Sequence, residues 1–287
     1  MKTKISVSTN QRRVLITGAN GGIGREIVSK FLRNEWKVIA AFRTEVGVLK
    51  DLKDAAPALE IFQLDLSVEN EVDAFYAELK RRDLEPHTVI ANAGKYRSRP
   101  TPLHKITLAE WEESISANLT TTFLTARGFF RSLLGKTIET PPSLVVVGST
   151  AGIYGEAAHS DYAAAKAALQ YGWLKSLKNE ITRLHPYGRV NGIAPGWTLT
   201  DMAKDSLAER SRVERTLQTI ALRKFGAPKD VAEAALFLGD HIKSGHISGH
   251  IIEISGGMEG RVLHETSELS GFPPKSPPDS SANSSAN

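Results

Sequence analysis

The chain has 287 residues, of which 41% are apolar and 24% are charged, and its formal net charge at pH 7 is +4. This balance is typical of an ordinary globular protein and excludes wholesale disorder. The basic residues are scattered along the sequence, so the charge does not predict a nucleic-acid surface. The sequence contains no cysteine, which excludes disulfides, a thiolate nucleophile and Cys-ligated metal sites.

Apolar runs of strand length alternate with segments of helical period. The predicted strands span residues 14–17, 37–42, 60–64, 88–91, 143–148, 189–193 and 251–254. Helical periodicity is clearest over residues 23–33, 68–81, 111–134, 162–184 and 228–238. The strands are mostly continuous Val/Ile-rich runs, as expected when helices cover both faces of a sheet. We therefore predict an α/β fold, a Rossmann-type, doubly wound, seven-stranded parallel sheet in a single domain.

The composition changes near both ends of the chain. Residues 1–12 include several basic residues and no following apolar stretch, so they are interpreted as an N-terminal extension of a cytoplasmic protein, with organelle targeting as the alternative. No window is apolar enough over a sufficient length to predict a membrane span. Residues 261–287 are rich in Ser and Pro and predict a disordered tail, which leaves residues 13–260 as the folded domain.

A glycine-rich loop follows the first predicted strand and leads directly into a helix. Its sequence is Thr17-Gly18-Ala19-Asn20-Gly21-Gly22-Ile23-Gly24. Glycines allow the backbone to turn tightly and to approach a pyrophosphate, while the N-terminus of the helix supplies oriented N–H donors. This position in the first βα turn predicts a dinucleotide site, although the Gly-x3-Gly-x-Gly spacing is a variant of the commoner fingerprint.

The end of the second predicted strand bears on the choice of cofactor. An NAD site would need an Asp or Glu there to bind the adenosine ribose hydroxyls. The residues are instead Ala41, Phe42 and Arg43, and the planar guanidinium of Arg43 is suited to a 2′-phosphate. The sequence therefore predicts NADP(H), with a solvated surface arginine as the alternative interpretation.

Three polar residues follow at the fifth predicted strand and the next helix. Tyr162 and Lys166 are four residues apart, which places them on one face of a helix, where the cation can favour the phenolate. A tyrosine with an ordinary pKa of ~10 is a poor acid or base at neutral pH, so we expect Lys166 to lower that pKa. Ser149, at the exit of the strand, could hydrogen-bond a substrate oxygen or could simply cap a turn.

Taken together, these motifs resemble those of the short-chain dehydrogenase/reductase family. The resemblance covers about residues 13–258 and rests on Thr17-Gly18-x3-Gly22-x-Gly24, Asn92-Ala93-Gly94, Asn118, Ser149, Tyr162-x3-Lys166, Pro195-Gly196 and Gly256-Gly257. Their joint occurrence in this order is far more specific than any single motif. Ala91 replaces the first Asn of the family's usual Asn-Asn-Ala-Gly.

The resemblance implies a role for each matching residue. Tyr162 would exchange a proton with the carbonyl or alcohol oxygen, Ser149 would hold that oxygen, and Lys166 would bind the nicotinamide ribose. Asn118 would position a water in a proton relay. The implied cofactor-binding residues are Thr17, Gly18, Asn20, Gly22, Ile23, Gly24, Arg43, Asp65, Leu66, Asn92, Ala93, Gly94, Tyr162, Lys166, Pro195, Gly196, Thr198 and Thr200.

Within the family, several motifs resemble bacterial-type 3-oxoacyl-(acyl-carrier-protein) reductases. They are Gly148-Ser149, Ala194-Pro195-Gly196, Thr200-Asp201-Met202 and Ile254-Ser255-Gly256-Gly257-Met258. Asn179 stands where those reductases tend to carry a carrier-docking arginine, with Lys178 or Arg183 as alternative docking residues, and Gly21 stands where a basic residue is common. The resemblance implies NADPH-dependent reduction of a ketone or 3-oxoacyl-type carbonyl to a secondary alcohol.

Two other functions stay open at this point. An NADP-linked dehydrogenase of a hydroxysteroid, sugar alcohol or cyclic alcohol fits the same residues. A non-catalytic NADP-binding regulatory protein would have the same fold. The expected substrate is a small carbonyl or alcohol, with an acyl thioester as one candidate, and no nucleic-acid or membrane partner is expected.

The remaining expectations concern assembly, the substrate side and metals. The resemblance implies a homotetramer or homodimer. Residues 201–215 are charged and are interpreted as a mobile substrate lid, and Trp197 is a candidate wall of the substrate pocket. Four histidines near the C-terminus show no helix-face ligand pair with a carboxylate, so no metal site is predicted.

Overall fold

The computed structural model describes residues 12–136, 139–200 and 210–269. Within these residues one parallel sheet is formed by β1 (Arg13–Thr17), β2 (Lys37–Phe42), β3 (Leu59–Gln63), β4 (Thr88–Ala91), β5 (Ser143–Val147), β6 (Arg189–Pro195) and β7 (Ile251–Ile254). The spatial order of the strands is β3-β2-β1-β4-β5-β6-β7. The predicted doubly wound, seven-stranded parallel sheet is confirmed.

Helices connect successive strands and cover both faces of the sheet. They are α1 (Gly22–Arg33), α2 (Leu49–Ala55), α3 (Glu69–Arg81), α4 (Leu108–Ile115), α5 (Thr121–Leu133), α6 (Ala151–Tyr154), α7 (Ser160–Ala168), α8 (Leu174–Leu184), α9 (Arg210–Leu217), α10 (Pro228–Gly239) and α11 (His241–Ser244). The π-helical segments Ser116–Thr120 and Leu169–Trp173 join α4 to α5 and α7 to α8. None of the described helices combines the length and apolar character needed to cross a bilayer.

Each face of the sheet has its own apolar core, because successive strand residues point to opposite faces. Ile16 packs with α1 and α10 on one face, whereas Leu15 packs with α3, α5 and α8 on the other. A Cβ at Gly128 of α5 would lie 2.2 Å from the Tyr76 ring of α3. Glycine at this position therefore allows α5 and α3 to pack closely over the second face.

The sheet has a topological switch point between β1 and β4. From β1 the chain continues to β2 and β3 on one side, and β4 then begins the series that continues on the other side. In doubly wound sheets a crevice forms at this point, outside the carboxyl ends of the strands. The glycine-rich loop, residues 92–94 and Ser149 lie at this edge because they directly follow β1, β4 and β5.

Some helix bounds differ from the sequence-based prediction. The helix α2 was not predicted. Its seven residues contain two large apolar side chains at helical spacing, Leu49 and Leu52, which is too few to define a helical period. The helix predicted from residue 111 begins instead at Leu108. There the Thr107 hydroxyl accepts from Glu110 N at 3.2 Å, and the Glu110 carboxylate accepts from Thr107 N at 2.8 Å, which forms a capping box.

The folded chain continues past residue 261, where the tail was predicted to begin. Thr266–Leu269 form a 3-10 turn, and Leu269 is 3% exposed because it packs with Val213 and Leu217 of α9. The backbone oxygen of Gln218 also accepts hydrogen bonds from the N–H groups of residues 263 and 264. The predicted boundary is therefore too early. The structure does not describe residues 1–11 and 270–287. Residues 201–209 of the predicted lid also lie outside the described residues.

Candidate active site

The glycine-rich loop turns sharply between β1 and α1. Gly18 has a φ of 62°, in the left-handed region that favours glycine. A Cβ at Gly24 would lie 2.1 Å from the Gly18 carbonyl oxygen, and a Cβ at Gly22 would lie 3.0 Å from the Thr200 side chain. The N-cap of α1 is Gly21, whose lack of a side chain leaves the first N–H groups of the helix accessible to an anion.

Hydrogen bonds fix this loop to the end of β4. The Thr17 hydroxyl accepts from the N–H groups of Asn92 and Ala93, both at 3.0 Å. The Asn92 side-chain amide donates to the carbonyl oxygens of Thr17 and Gly18 at 3.0 and 3.2 Å. Thr17 lines neither of the two cavities described next, so its position is that of an anchor behind the loop.

A cavity of about 370 Å³ opens at the switch point. Its predicted lining residues are Gly18, Asn20, Gly22, Ile23, Gly24, Asn92, Gly94, Asn118, Ser149, Tyr162, Lys166, Pro195, Gly196, Thr198 and Thr200. Trp197, the candidate wall of the substrate pocket, also lines this cavity. The fold therefore brings motifs from most of the chain length to one place.

A second cavity, of about 310 Å³, adjoins the first over the ends of β2 and β3. Arg43, Asp65, Leu66 and Ala93 are among its lining residues. The Arg43 side chain is 56% exposed, and its Nη1 lies 3.9 Å from Asp65 Oδ2. Burial opposes ionisation of Asp65, but hydrogen bonds from Ser67 and the charge of Arg43 outweigh it and lower the pKa of this carboxyl.

Ser149, Tyr162 and Lys166 meet at the carboxyl end of β5. Ser149, Tyr162 and Lys166 all line the first cavity, and Lys166 Nζ lies 5.6 Å from the centroid of the Tyr162 ring. Lys166 Nζ also donates to the Val147 carbonyl oxygen at 3.0 Å. Ser149 Oγ accepts from Ala151 N at 3.1 Å, so this side chain caps a turn as well as contacting Tyr162.

Burial shifts the pKa values of both titratable groups in this trio. It lowers the pKa of Lys166 to about 8. It raises the pKa of Tyr162 to about 12. The interaction with Ser149 lowers this pKa in part, whereas the negative charge of Glu156 adds to the increase. The pKa of Tyr162 is therefore raised overall and not lowered, as its spacing to Lys166 had led us to expect, because desolvation of the buried phenolate dominates. Tyr162 therefore keeps its proton at neutral pH, as a proton donor requires.

Asn118 lies in the π-helical segment and is fully buried. Its side-chain amide donates to the Lys95 carbonyl oxygen at 2.9 Å, and its Oδ1 accepts from Lys95 N at 3.1 Å. A Cβ at Gly94 would lie 2.8 Å from Asn118 Oδ1 and 3.3 Å from Lys166 Nζ. Asn118 thus holds the backbone that follows β4 close to Lys166.

The first cavity also contacts a polar cluster that the sequence analysis does not predict. The cluster consists of Tyr96, Glu156, His159 and Arg212, which we term the Glu156 cluster. Tyr96 OH donates to Glu156 Oε1 at 2.6 Å, and Arg212 Nη2 donates to the same oxygen at 3.3 Å. These pairs are 60 and 56 residues apart in sequence, so no local pattern could have revealed them.

The two adjoining cavities fit an extended dinucleotide. They share Gly18, Asn20, Gly94 and Lys95, and the accessible N-terminus of α1 lies where a pyrophosphate would bind. The Arg43 side of the second cavity would receive the adenosine end. The Tyr162 side of the first cavity would receive the nicotinamide end. The residues present therefore suit a nicotinamide dinucleotide.

Known proteins of one family match this chain over most of its length. A family model for short chain dehydrogenases matches residues 12–211. The 3-oxoacyl-(acyl-carrier-protein) reductase FabG of Salmonella typhimurium is 31% identical over 249 residues, which cover 85% of this chain and 96% of that protein. The FabG protein of Buchnera aphidicola from Acyrthosiphon pisum is 28% identical over 255 residues, covering 88% of this chain and 99% of the relative.

A solved structure gives the same result for the three-dimensional fold. The structure of 4-hydroxyisoleucine dehydrogenase complexed with NADH is similar with a TM-score of 0.79 and 25% sequence identity, and covers 86% of this chain and 98% of its own. The family match, the relatives and this fold agree with the motifs in the cavity. The chain belongs to the short-chain dehydrogenase/reductase family, and it is an oxidoreductase of the kind that uses a nicotinamide cofactor on CH–OH and C=O groups.

Proposed function

We propose that the chain catalyses the reversible, NADP(H)-dependent reduction of a ketone to a secondary alcohol, with Tyr162 as the general acid/base. We base this on the meeting of Ser149, Tyr162 and Lys166 in one cavity with the glycine-rich loop. The bound cofactor supplies the hydride. The protein orients the substrate and supplies the proton.

Tyr162 and Ser149 act on the reacting oxygen. With a pKa raised to about 12, the Tyr162 phenol is protonated at neutral pH and can donate its proton to the carbonyl oxygen. Ser149 holds the same oxygen with a second hydrogen bond. Lys166 binds the nicotinamide ribose, and its positive charge offsets the phenolate formed by proton transfer. Asn118 positions a water that returns the proton.

Arg43 supports NADP(H) over NAD(H). Its exposed guanidinium lies at the second cavity, where it can form charge-assisted hydrogen bonds with a 2′-phosphate. β2 ends in Phe42, so this strand end offers no carboxylate to bind an adenosine ribose. The NADH bound in the 4-hydroxyisoleucine dehydrogenase structure makes NADH the appropriate comparison cofactor.

Two substrate classes follow from different observations. The relatives named 3-oxoacyl-(acyl-carrier-protein) reductases make a 3-oxoacyl thioester one candidate. Asn179 of α8 stands in place of the expected carrier-docking arginine, which argues against use of a carrier. The carboxylate of Glu156 in the cavity lining favours the second class, hydroxylated ketones and their alcohols.

We propose a homodimer or homotetramer that assembles through α5 and α8. A groove between these helices is lined by Phe123, Phe130, Leu134 and Trp173 among others. The Phe123 side chain is exposed although it is large and aromatic. Contiguous exposed apolar surface of this kind is typical of a subunit contact. Light scattering that gives the mass of a monomer would contradict this assembly.

The proposed reaction is tested by following the absorbance of the reduced nicotinamide. NADPH and NADH are compared in parallel with 3-oxoacyl thioesters, diketones and hydroxyketones. We expect ketone-dependent oxidation of NADPH with a kcat/KM at least about tenfold above that with NADH. Preference for NADH would contradict the role of Arg43. Cofactor binding without turnover of any ketone would contradict the reductase activity.

A further inference from the structure

One carboxylate in the cavity lining has no role in the reaction described above. Glu156 lies in the connection between α6 and α7, six residues before Tyr162 in the sequence. We propose that Glu156 binds a hydroxyl or ammonium group of the substrate, so that the enzyme acts on ketones that carry such a donor near the reacting carbonyl. This proposal rests on the proposed function and narrows its substrate class.

The Glu156 carboxylate is held through one of its two oxygens. Oε1 accepts from Tyr96 OH at 2.6 Å and from Arg212 Nη2 at 3.3 Å, and it lies 3.6 Å from His159 Nδ1. The short hydrogen bond from Tyr96 and the ion pair with Arg212 fix the orientation of the carboxylate. A carboxylate held in this way is preorganised to accept a further hydrogen bond.

The same contacts fix Glu156 relative to the reacting group. The Tyr96 ring stacks on His159 at a centroid distance of 4.4 Å, and it meets the Tyr162 ring edge to face at 5.2 Å. His159 is buried, and its Nε2 lies 3.0 Å from the Arg97 carbonyl oxygen. A substrate held at Glu156 is therefore placed at a defined position relative to Tyr162.

The second carboxylate oxygen is the one that remains for a ligand. In the described parts of the chain, Glu156 Oε2 accepts no hydrogen bond, although Glu156 lines the cavity. Arg212 is absent from that lining and lies over the Trp197 ring, 5.1 Å from its centroid. Within the described residues, the cavity lining thus includes the carboxylate and not the guanidinium. This arrangement selects hydrogen-bond donors and repels a carboxylate.

An unsubstituted acyl chain would be a poor occupant of this position. It would remove water from Glu156 Oε2 without replacing the hydrogen bond, and an ionised group left in that state is costly. Sites that hydrogen-bond a substrate hydroxyl discriminate strongly against the analogue that lacks it. We therefore expect a preference of about tenfold to a hundredfold for the substituted ketone, as for a hydrogen bond to a charged group.

The test compares matched ketones with NADPH as cofactor. Hydroxyacetone is paired with acetone. Two longer hydroxyketones, with one or two further methylenes between the hydroxyl and the carbonyl, are each paired with the ketone that lacks the hydroxyl. Aminoacetone supplies the ammonium group. For at least one pair, the wild-type kcat/KM ratio should show the preference given above. In Glu156→Ala this ratio should fall to about one.

Two further variants separate recognition from folding. Glu156→Gln keeps an acceptor but loses the charge, so it should keep part of the hydroxyl preference and lose any advantage of aminoacetone over hydroxyacetone. This variant decides the question if Glu156→Ala does not fold. Glu233→Ala removes an exposed carboxylate of α10 that pairs with Lys30, and it should leave every ratio unchanged.

The outcomes distinguish this proposal from the proposed function. Ratios near one in the wild type would overturn the role of Glu156 while leaving the ketone reductase intact. If Glu156 only holds α9 through Arg212, both ketones of a pair would lose activity equally, and the unchanged ratio would also overturn the proposal. Cofactor binding without reduction of any ketone would overturn the proposed function itself, and the substrate assignment with it.

Discussion

The Lys166 ammonium group donates a hydrogen bond to the carbonyl oxygen of Val147 at 3.0 Å, inside the protein. The Lys166 residue is 4% exposed, and burial lowers its pKa to about 8. A buried cation with one protein hydrogen bond is costly for folding. The role proposed for Lys166 therefore comes at the expense of stability, which is a common relationship at active sites.

Replacing this lysine should separate stability from activity. We expect Lys166→Met to raise the free energy of unfolding at neutral pH by about 1–2 kcal/mol. The substitution removes a penalty of about 3 kcal/mol for burying the charge, and loss of the hydrogen bond to Val147 cancels part of this gain. The same variant should lose at least about a hundredfold in kcat. Urea unfolding and steady-state kinetics measure the two effects, with the exposed Lys37→Met as control.

The stability gain of Lys166→Met should depend on pH. The folded pKa of about 8 lies below the ordinary value of 10.5, so the penalty is fully present below pH 8. It fades as the pH rises from about 8 to about 10.5, because the unfolded chain alone holds the proton in that range. A variant that is less stable than the wild type at neutral pH would contradict this explanation.

Arg43 should determine the choice between the two cofactors. Arg43→Ser should raise the KM for NADPH about tenfold to a hundredfold, because the guanidinium can no longer bind the 2′-phosphate, and should change the KM for NADH by less than about threefold. Lys37→Ser is the matched control, since Lys37 is an exposed cation at the opposite end of the same strand. An unchanged KM for NADPH in Arg43→Ser would exclude this residue from cofactor recognition.

Gly94 should not tolerate even one added methyl group. In Gly94→Ala the Cβ would lie 2.8 Å from Asn118 Oδ1 and 3.3 Å from Lys166 Nζ, so one of these side chains must move. We expect a loss of about a hundredfold or more in kcat/KM, since small displacements of positioned groups are costly for catalysis. Gly172→Ala is the control, because its Cβ would meet nothing within 4 Å. Equal activity of both variants would contradict the packing around Asn118.

His87 should make the fold sensitive to acid. Its Nδ1 accepts from Arg13 N at 3.2 Å, and burial, with the positive charges of Arg13 and His241, lowers its pKa from 6.5 to about 4. Between these values the unfolded chain binds a proton that the folded chain does not, so stability falls as the pH falls. His87→Asn should reduce this loss by about 1–3 kcal/mol in urea unfolding at neutral pH and near pH 4. Parallel pH dependence in both proteins would contradict this assignment.

The strands and the motif residues could be predicted because both depend on local sequence. β2, β4 and β7 have the predicted bounds, whereas β6 runs on to Pro195, two residues beyond the prediction. Leu269 lies in a segment whose polar composition predicts disorder, yet it is buried against α9. Such contacts depend on distant partners and leave no periodic pattern in the sequence.

Most of the predicted site residues line two adjoining cavities, because they follow strands at the same edge of the sheet or lie on α1 or α7; Asn118 reaches the site from a π-helical segment. The Glu156 cluster could not be predicted in this way. Tyr96, Glu156 and Arg212 come from two connections and a helix, and the hydrogen bond between Arg212 and Tyr96 spans 116 residues. The pKa of Tyr162 was also missed, because helical spacing to Lys166 contains no information about burial.

The most direct test of the proposed chemistry is the kcat for ketone reduction by Tyr162→Phe at saturating NADPH. We expect a loss of about a thousandfold or more, because phenylalanine lacks the hydroxyl that supplies the proton, while NADPH binding measured by fluorescence changes little. Tyr187→Phe, which alters an exposed tyrosine, should retain full activity. A Tyr162→Phe enzyme that keeps wild-type turnover would contradict the assignment of Tyr162 as the general acid/base.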